Sequence, residues 1–459
     1  MIGTKVIVMK KSYHLDMTQG NLLKNIFLFS VPLMLMNCLQ MIFNAADTIV
    51  VGKYSGETAL AAVGATSSVI FLLISLFNGL SVGTNVVVSK YIGARDEANT
   101  SKATHTSICI SIIFGIVLML IGILFSTPLL EMMDTPDNLL YFSSLYMKIY
   151  FSGIIFTLVY DFATAILRSA GDTKRPLYYL AIAGALNVVL NLMFVIVFHM
   201  GVAGVALATV ISQGVSAVLT LYTLIHEDNA TRLIFKDIRI NKDIAIEIMK
   251  IGIPAGIQSL VFSFSNVVVQ SSLNSFNDSY LIAGNSASVN LENFVYIGMD
   301  SFNKATATFT AANVGSSNYK QIKKILWMTM LLDVCSGFLI SCIIYLNGHF
   351  FLCFYTNSNE VVSLGMYRLA FVTLLLPIQG IGDSFIASSR GMGYSTVPTL
   401  AMLIGVCGIR LVWLWTVFVA VRSLQTLYLC FPISWSVTGI IEGLIWLKCY
   451  KEFMRNNTK

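Results

Sequence analysis

The chain has 459 residues, of which 56% are hydrophobic and 11% charged, with a mean hydropathy of +0.76. Soluble globular domains carry about 25% charged residues, so the composition excludes that class and describes an all-α polytopic membrane protein. The net charge of +6 would suggest nucleic acid in a soluble chain. Here the basic residues sort by loop, and no nucleic-acid partner is expected.

Residues 1–22 read as a short basic tail without a signal-peptide pattern. Twelve spans follow, near 25–50, 59–83, 103–126, 139–167, 176–198, 202–225, 246–273, 281–312, 325–347, 361–389, 396–420 and 425–448. Most exceed the ~20 residues a helix needs to cross a bilayer. With the amino terminus cytosolic, 24 of the 29 Lys and Arg fall in the tails and the loops of that side; the others are Lys53, Lys148, Arg368, Arg410 and Arg422. This asymmetry predicts both termini cytosolic in the cytoplasmic (inner) membrane. The eight cysteines are scattered through apolar stretches without metal-ligand spacing, which argues against zinc or a disulfide framework.

The stretch His226–Asp243 holds eight charged residues in eighteen and divides the chain. Residues 23–225 form a predicted N-lobe of six helices, 226–245 a cytosolic linker, 246–450 a C-lobe of six, and 451–459 a cytosolic tail. The halves repeat at an offset of 222 residues, pairing Pro32 with Pro254, Gly93 with Gly315, Asp161 with Asp383, Arg168 with Arg390, Gly171 with Gly393 and Pro176 with Pro398. An even number of spans per repeat inserts both halves the same way up. That predicts a pseudo-twofold along the membrane normal, with the transport path between the lobes.

Polar residues inside the spans carry the chemistry. Asp47 lies fifteen residues after Pro32, about 22 Å along a helix at ~1.5 Å per residue, inside a hydrocarbon core ~30 Å thick. It admits two readings, a helix-end carboxylate reaching headgroups or a cation or proton site in a polar, protein-lined pocket. Asn187 and Asn191 share a face of the fifth span, and Thr209 sits in the sixth. Each taken alone is equally an interhelical hydrogen-bonding group. In the second half, Asp300 and Lys304 stand i, i+4 and can neutralise one another, in a structural or gating role. Glu292, Asp383 and Arg410 lie too deep to reach headgroups and are expected to form one polar cluster; Asp333 faces another helix. No GxxxxGK(S/T) loop occurs, so ATP is not the direct energy source. No HExxH or GxSxG occurs either, and the five histidines are isolated, which disfavours a membrane-embedded enzyme.

FSVPLMLMNCLQMIFNAADTIVVG, LRSAGDTKRPL, ALNVVLNLMFVIVFHMGVAGVALATVISQG, KIGIP, ATFTAANVG and GDSFIASSRGMGYSTVP, in this order and spacing, resemble the multidrug and toxic compound extrusion (MATE) family. The resemblance covers Leu23 to about Trp446. It implies a V-shaped pair of lobes that exports lipophilic, cationic compounds in exchange for Na⁺ or H⁺, with no other cofactor. Asp47 resembles the family's first-helix carboxylate, Asn187 and Thr209 its N-lobe partners, and Asp383 its tenth-helix acid. Many members carry Asp at the position of Asn191. One carboxylate suffices to carry a proton, so the expectation is H⁺ coupling through Asp47, with the second-lobe acids as the alternative Na⁺ site. A monomer in contact with membrane lipids is expected. A lipid-linked oligosaccharide flippase of the same superfamily is the alternative, which extra helices and a cationic central cavity would favour.

Overall fold

The computed structural model describes residues 14–133 and 135–457, and every regular element among them is helical. The predicted tail positions 1–13 and the last two residues lie outside the described residues. The first half comprises α1 (Leu22–Tyr54), α2 (Glu57–Gly93), α3 (Glu97–Glu131), α4 (Asp137–Ser152), α5 (Ile154–Ser169), α6 (Lys174–Leu192) and α7 (Gly201–Ile225). The second comprises α8 (Lys242–Asn274), α9 (Ser279–Gly315), α10 (Lys320–Leu346), the short α11 (Gly348–Cys353), α12 (Asn359–Phe371), α13 (Pro377–Gly391), α14 (Thr396–Met402), α15 (Ile409–Trp415), the single turn α16 (Val417–Ala420) and α17 (Leu424–Asn457).

Among the described residues, ten helical stretches are long and apolar enough to cross a membrane, or eleven when α4 and α5, bent by 46° to each other, count as one. The expected number was twelve. The difference falls on α9, which has 37 residues but carries Glu292, Asp300, Lys304 and several Asn and Ser, and so is too polar to qualify. The helices also outrun the apolar spans. α2 continues ten residues past the expected end at 83, because its last turns pack against protein and not lipid.

The repeat is legible in the backbone. Gly171 and Gly393, mates at the 222 offset, take φ of +81° and +93° in the turns after α5 and α13. Arg95 and Ser317, also mates, are both left-handed at φ 55° and 58°. The fourth span of each half breaks at the same register, at Gly153 between α4 and α5 and at the 3₁₀ turn Thr373–Leu375 between α12 and α13.

The halves meet where α2 crosses α8 and α9. A Cβ on Gly79 would stand 2.2 Å from the Gly256 nitrogen, and one on Gly256 would stand 2.4 Å from the Leu76 carbonyl. Gly93 and Gly315 do the same reciprocally, at 1.9 Å from the Ala312 oxygen and 1.8 Å from the Lys90 oxygen. Small residues i, i+4 let helices approach backbone to backbone in lipid, where dispersion and not water exclusion drives association. Thr308 donates to Asn85 at 2.7 Å, and Glu247 accepts from Lys90 at 2.5 Å and from Tyr91 at 2.8 Å. The halves are thus sealed towards the end of α2 and the start of α8, the side that also carries residues 14–21 and the 226–241 connection.

Candidate functional site

Two cavities lie beyond that seal. One, of about 540 Å³, sits between the halves, where α1, α2 and α5 face α8, α9 and α13. Asp161, Arg168, Asp300, Lys304 and Arg390 line it. The Lys304 ammonium is 2.6 Å from Asp300, which also accepts from Asn37 at 3.3 Å, and Arg390 donates to Gln258. The i, i+4 spacing on α9 and the reach of α1 position this group. The second cavity, of about 680 Å³, lies within the second half among α8, α9, α12, α13, α15 and α17, with Phe71 and Asn78 of α2 at its edge.

In the first half the structure brings Asp47, Asn187, Asn191 and Thr209 together at the junction of α1, α6 and α7. Asn191 donates to the Asp47 carboxylate and, with its other N–H, to Asn187 Oδ1 at 3.2 Å. Asn187 donates to Thr209 Oγ1 at 3.4 Å, and Thr209 donates to the Val205 carbonyl at 3.0 Å. Asn191 is fully buried, and its Oδ1 accepts no hydrogen bond among the described residues. A π-helical turn, Met193–Val197, follows these residues on α6; such turns displace side chains from the regular helical register.

The second half corrects the expected cluster. Glu292, Asp383 and Arg410 all line the larger cavity, but they do not pair with one another. Glu292 is held by Arg368 through a two-pronged bridge, at 2.9 Å from Nε and 2.8 Å from Nη2, and accepts from Thr373 at 3.1 Å. Arg368 donates further to Asn285 at 2.8 Å and lies over the rings of Tyr428 and Phe431. Its planar fork matches a carboxylate, so Glu292 is neutralised one turn from the α12–α13 break, and Arg410 is left without an acid. Asp383 accepts from Gln379 at 3.3 Å. Asp333, fully buried, accepts from Ser384 at 3.3 Å and packs against Gly380, so it does face another helix.

Sequence reasoning passed over Arg368 and Glu442. Arg368 was visible as one of the few bases off the basic side, in the middle of a span, where an unpaired cation is costly. Glu442, the sole acid of the last span, is fully buried with both oxygens unbonded among the described residues.

These features define a multi-pass membrane protein of two related helical halves around buried, charged cavities, the architecture of a secondary transporter. The MatE family model matches it twice, over residues 32–193 and 254–416, again 222 residues apart. The chain belongs to the MATE family of efflux transporters. It is similar to the probable multidrug resistance protein YpnP of Bacillus subtilis, 29% identical over 80% of this chain and 82% of that one. It is also similar to the multidrug export protein MepA of Staphylococcus saprophyticus, 23% identical over 84% and 86%. In fold it matches a crystal structure of MATE in complex with MaL6, with a TM-score of 0.90 at 21% identity over 97% of this chain and all of that one. An outward-facing multidrug resistance MATE family transporter of the MOP superfamily matches at 0.89 over 97% and 99%.

Proposed function

We propose that the protein exports lipophilic, cationic compounds across the cytoplasmic membrane in exchange for protons. It works as a monomer without ATP, both termini cytosolic, by alternately exposing the space between the halves. The names of its relatives support the export of drugs, and the basic-residue asymmetry supports the orientation. On that orientation the sealed side is cytosolic and the described state opens outward.

The observation that carries the proton assignment is the chain of amides ending on Asp47. Asn191 donates both to the carboxylate and to Asn187, and Asn187 donates on to Thr209, so Asp47 is the one formal charge among four polar side chains. Protonation removes that charge and weakens the bond from Asn191, which couples occupancy of Asp47 to the fit of α1 against α6. Deprotonation restores both. The test is dye efflux from dye-loaded right-side-out vesicles with the pH and Na⁺ gradients collapsed separately. Efflux is expected to persist in Na⁺-free buffer under a pH gradient; efflux that vanishes there and returns with Na⁺ alone would refute proton coupling.

One observation favours the flippase reading. The cavity between the halves presents Arg168, Lys304 and Arg390 against Asp161 and Asp300, an excess of one cation. Translocation of a fluorescent lipid-linked sugar in liposomes, with no dye efflux, would select it.

A further inference from the structure

Among the described residues, Arg410 is the largest fully buried side chain, and it has no opposite charge beside it. It stands on α15, immediately after a π-helical stretch, Leu403–Gly408, that turns its side chain into the 680 Å³ cavity. It is 1% exposed. Its Nε donates to Ser434 at 3.1 Å and its Nη1 to Asn266 at 3.1 Å and to Ser265 at 3.4 Å, all neutral acceptors. Its Nη2 has no acceptor among the described residues. The guanidinium carbon lies 4.6 Å from the centroid of the Phe431 ring, 5.7 Å from that of Phe262 and 5.9 Å from that of Trp435. Trp435, 3% exposed and lining the same cavity, also has its indole N–H unbonded.

Both unbonded groups are donors and cannot accept. An unmet buried donor is expensive, and an unmet buried cation more so. Their natural complement is an acceptor that carries negative charge. A guanidinium meets a carboxylate through two parallel N–H···O bonds, and the flanking aromatic faces suit a flat apolar body. The acids that line this cavity do not supply that charge, since Glu292 belongs to Arg368, Asp300 to Lys304, and Asp383 is hydrogen-bonded to Gln379.

We propose that the second-half cavity is a binding site for carboxylate-bearing aromatic compounds, zwitterions included, with Arg410 and Trp435 holding the carboxylate. This deepens the export reading and rests on it for transport, but the site itself is testable by binding alone. The probe is a rhodamine with a free benzoate, against the same dye as its methyl ester, titrated onto detergent-purified full-length protein by fluorescence anisotropy. The free acid is expected to bind more tightly than the ester. Arg410→Met should cut that preference about tenfold or more, the usual weight of a charge-assisted bond. Trp435→Phe, which keeps the ring and removes the N–H, should cut it about threefold and carries the test should the Arg410 variant fail to fold. No preference for the acid in the native protein, or an unchanged preference in whichever variants fold, would overturn the site. Displacement of the free acid by phosphatidylglycerol would overturn the carboxylate in favour of a lipid phosphate. Loss of gradient-driven efflux with the acid–ester preference intact would refute the export reading and leave the site standing.

Discussion

The two halves share one architecture and differ in the sign of the charge at the site proposed in each; Glu442 and Asp333, second-half acids that also lack an ion-pair partner among the described residues, belong to neither site. In the first, Asp47 ends a chain of neutral amides; in the second, Arg410 is ringed by hydroxyls, an amide and aromatic faces. Between them stand charges that are fully matched, Glu292 with Arg368 and Asp300 with Lys304. The contrast separates two uses of a buried charge. A matched pair holds helices in place, while each of these two charges with neutral partners is proposed to take a solute, a proton for Asp47 and an anionic group for Arg410.

The largest expected effect tests the acid. Asp47→Asn keeps the size and the hydrogen bond to Asn191 but cannot take up a proton. Gradient-driven efflux is expected to fall to background at unchanged protein level, and wild-type efflux in this variant would end the coupling role. The second prediction sets matched against unmatched cations. Arg368→Met strands Glu292 and should lower stability by about 3–5 kcal/mol, whereas Arg410→Met strands no charge and should shift it by about 1 kcal/mol or less. Thermal unfolding in detergent reads both, and equal losses would erase the distinction. The third concerns the seam that keeps the halves in register. Gly79→Leu has no room against Gly256 and should cost about 1–3 kcal/mol by overpacking. In a cysteine-free background it should also raise thiol labelling of Leu80→Cys; unchanged labelling would show that the seam does not depend on close approach.

The smallest effect lies outside the membrane. The segment before α1 is pinned to both halves. His14 bonds Glu227 at 3.0 Å and the Ala170 carbonyl at 3.1 Å, and Asn313 of α9 donates to the Met17 carbonyl at 3.0 Å. The hydrogen bond with Glu227 holds the His14 imidazolium above its ordinary 6.5. Burial works to raise Glu227, but its bonds and attractions to His14 and Arg175 outweigh that and hold it below 4.5. The His14 contribution is therefore complete below pH 6.5 and lost as pH rises through its raised folded value. Glu227's is complete above 4.5 and lost as pH falls through its lowered one. His14→Ala should remove the decline in melting temperature on the alkaline side of 6.5, and an unchanged profile would show that this contact carries no pH dependence.

By itself the sequence determined the class and the repeat; the grouping of Asp47 with Asn187 and Thr209 was implied only by the resemblance to the MATE family. Low charge and long apolar runs leave a chain no stable place but the bilayer. A rare proline, glycine, acid and arginine recurring at one offset leave few ways to arrange two halves. Asn187 and Asn191 sit i, i+4 on one helix, so periodicity alone puts them on one face, and Asp47 is the only acid of its span. Pairing in the second half was different. Glu292 could reach Arg410, Arg368 or neither, because the choice depends on how α9 crosses α12 and α15, and on the π-helical stretch before Arg410. A π turn inserts a residue and rotates everything after it, and no spacing rule along α14–α15 reveals which way. The eighth expected span, 281–312, is α9, and its polar face is tolerable because α2, α10, α12 and α13 cover it. Local pattern decides what a helix is and which residues share its face; which buried charges meet is decided between helices, and only the packed structure settles that.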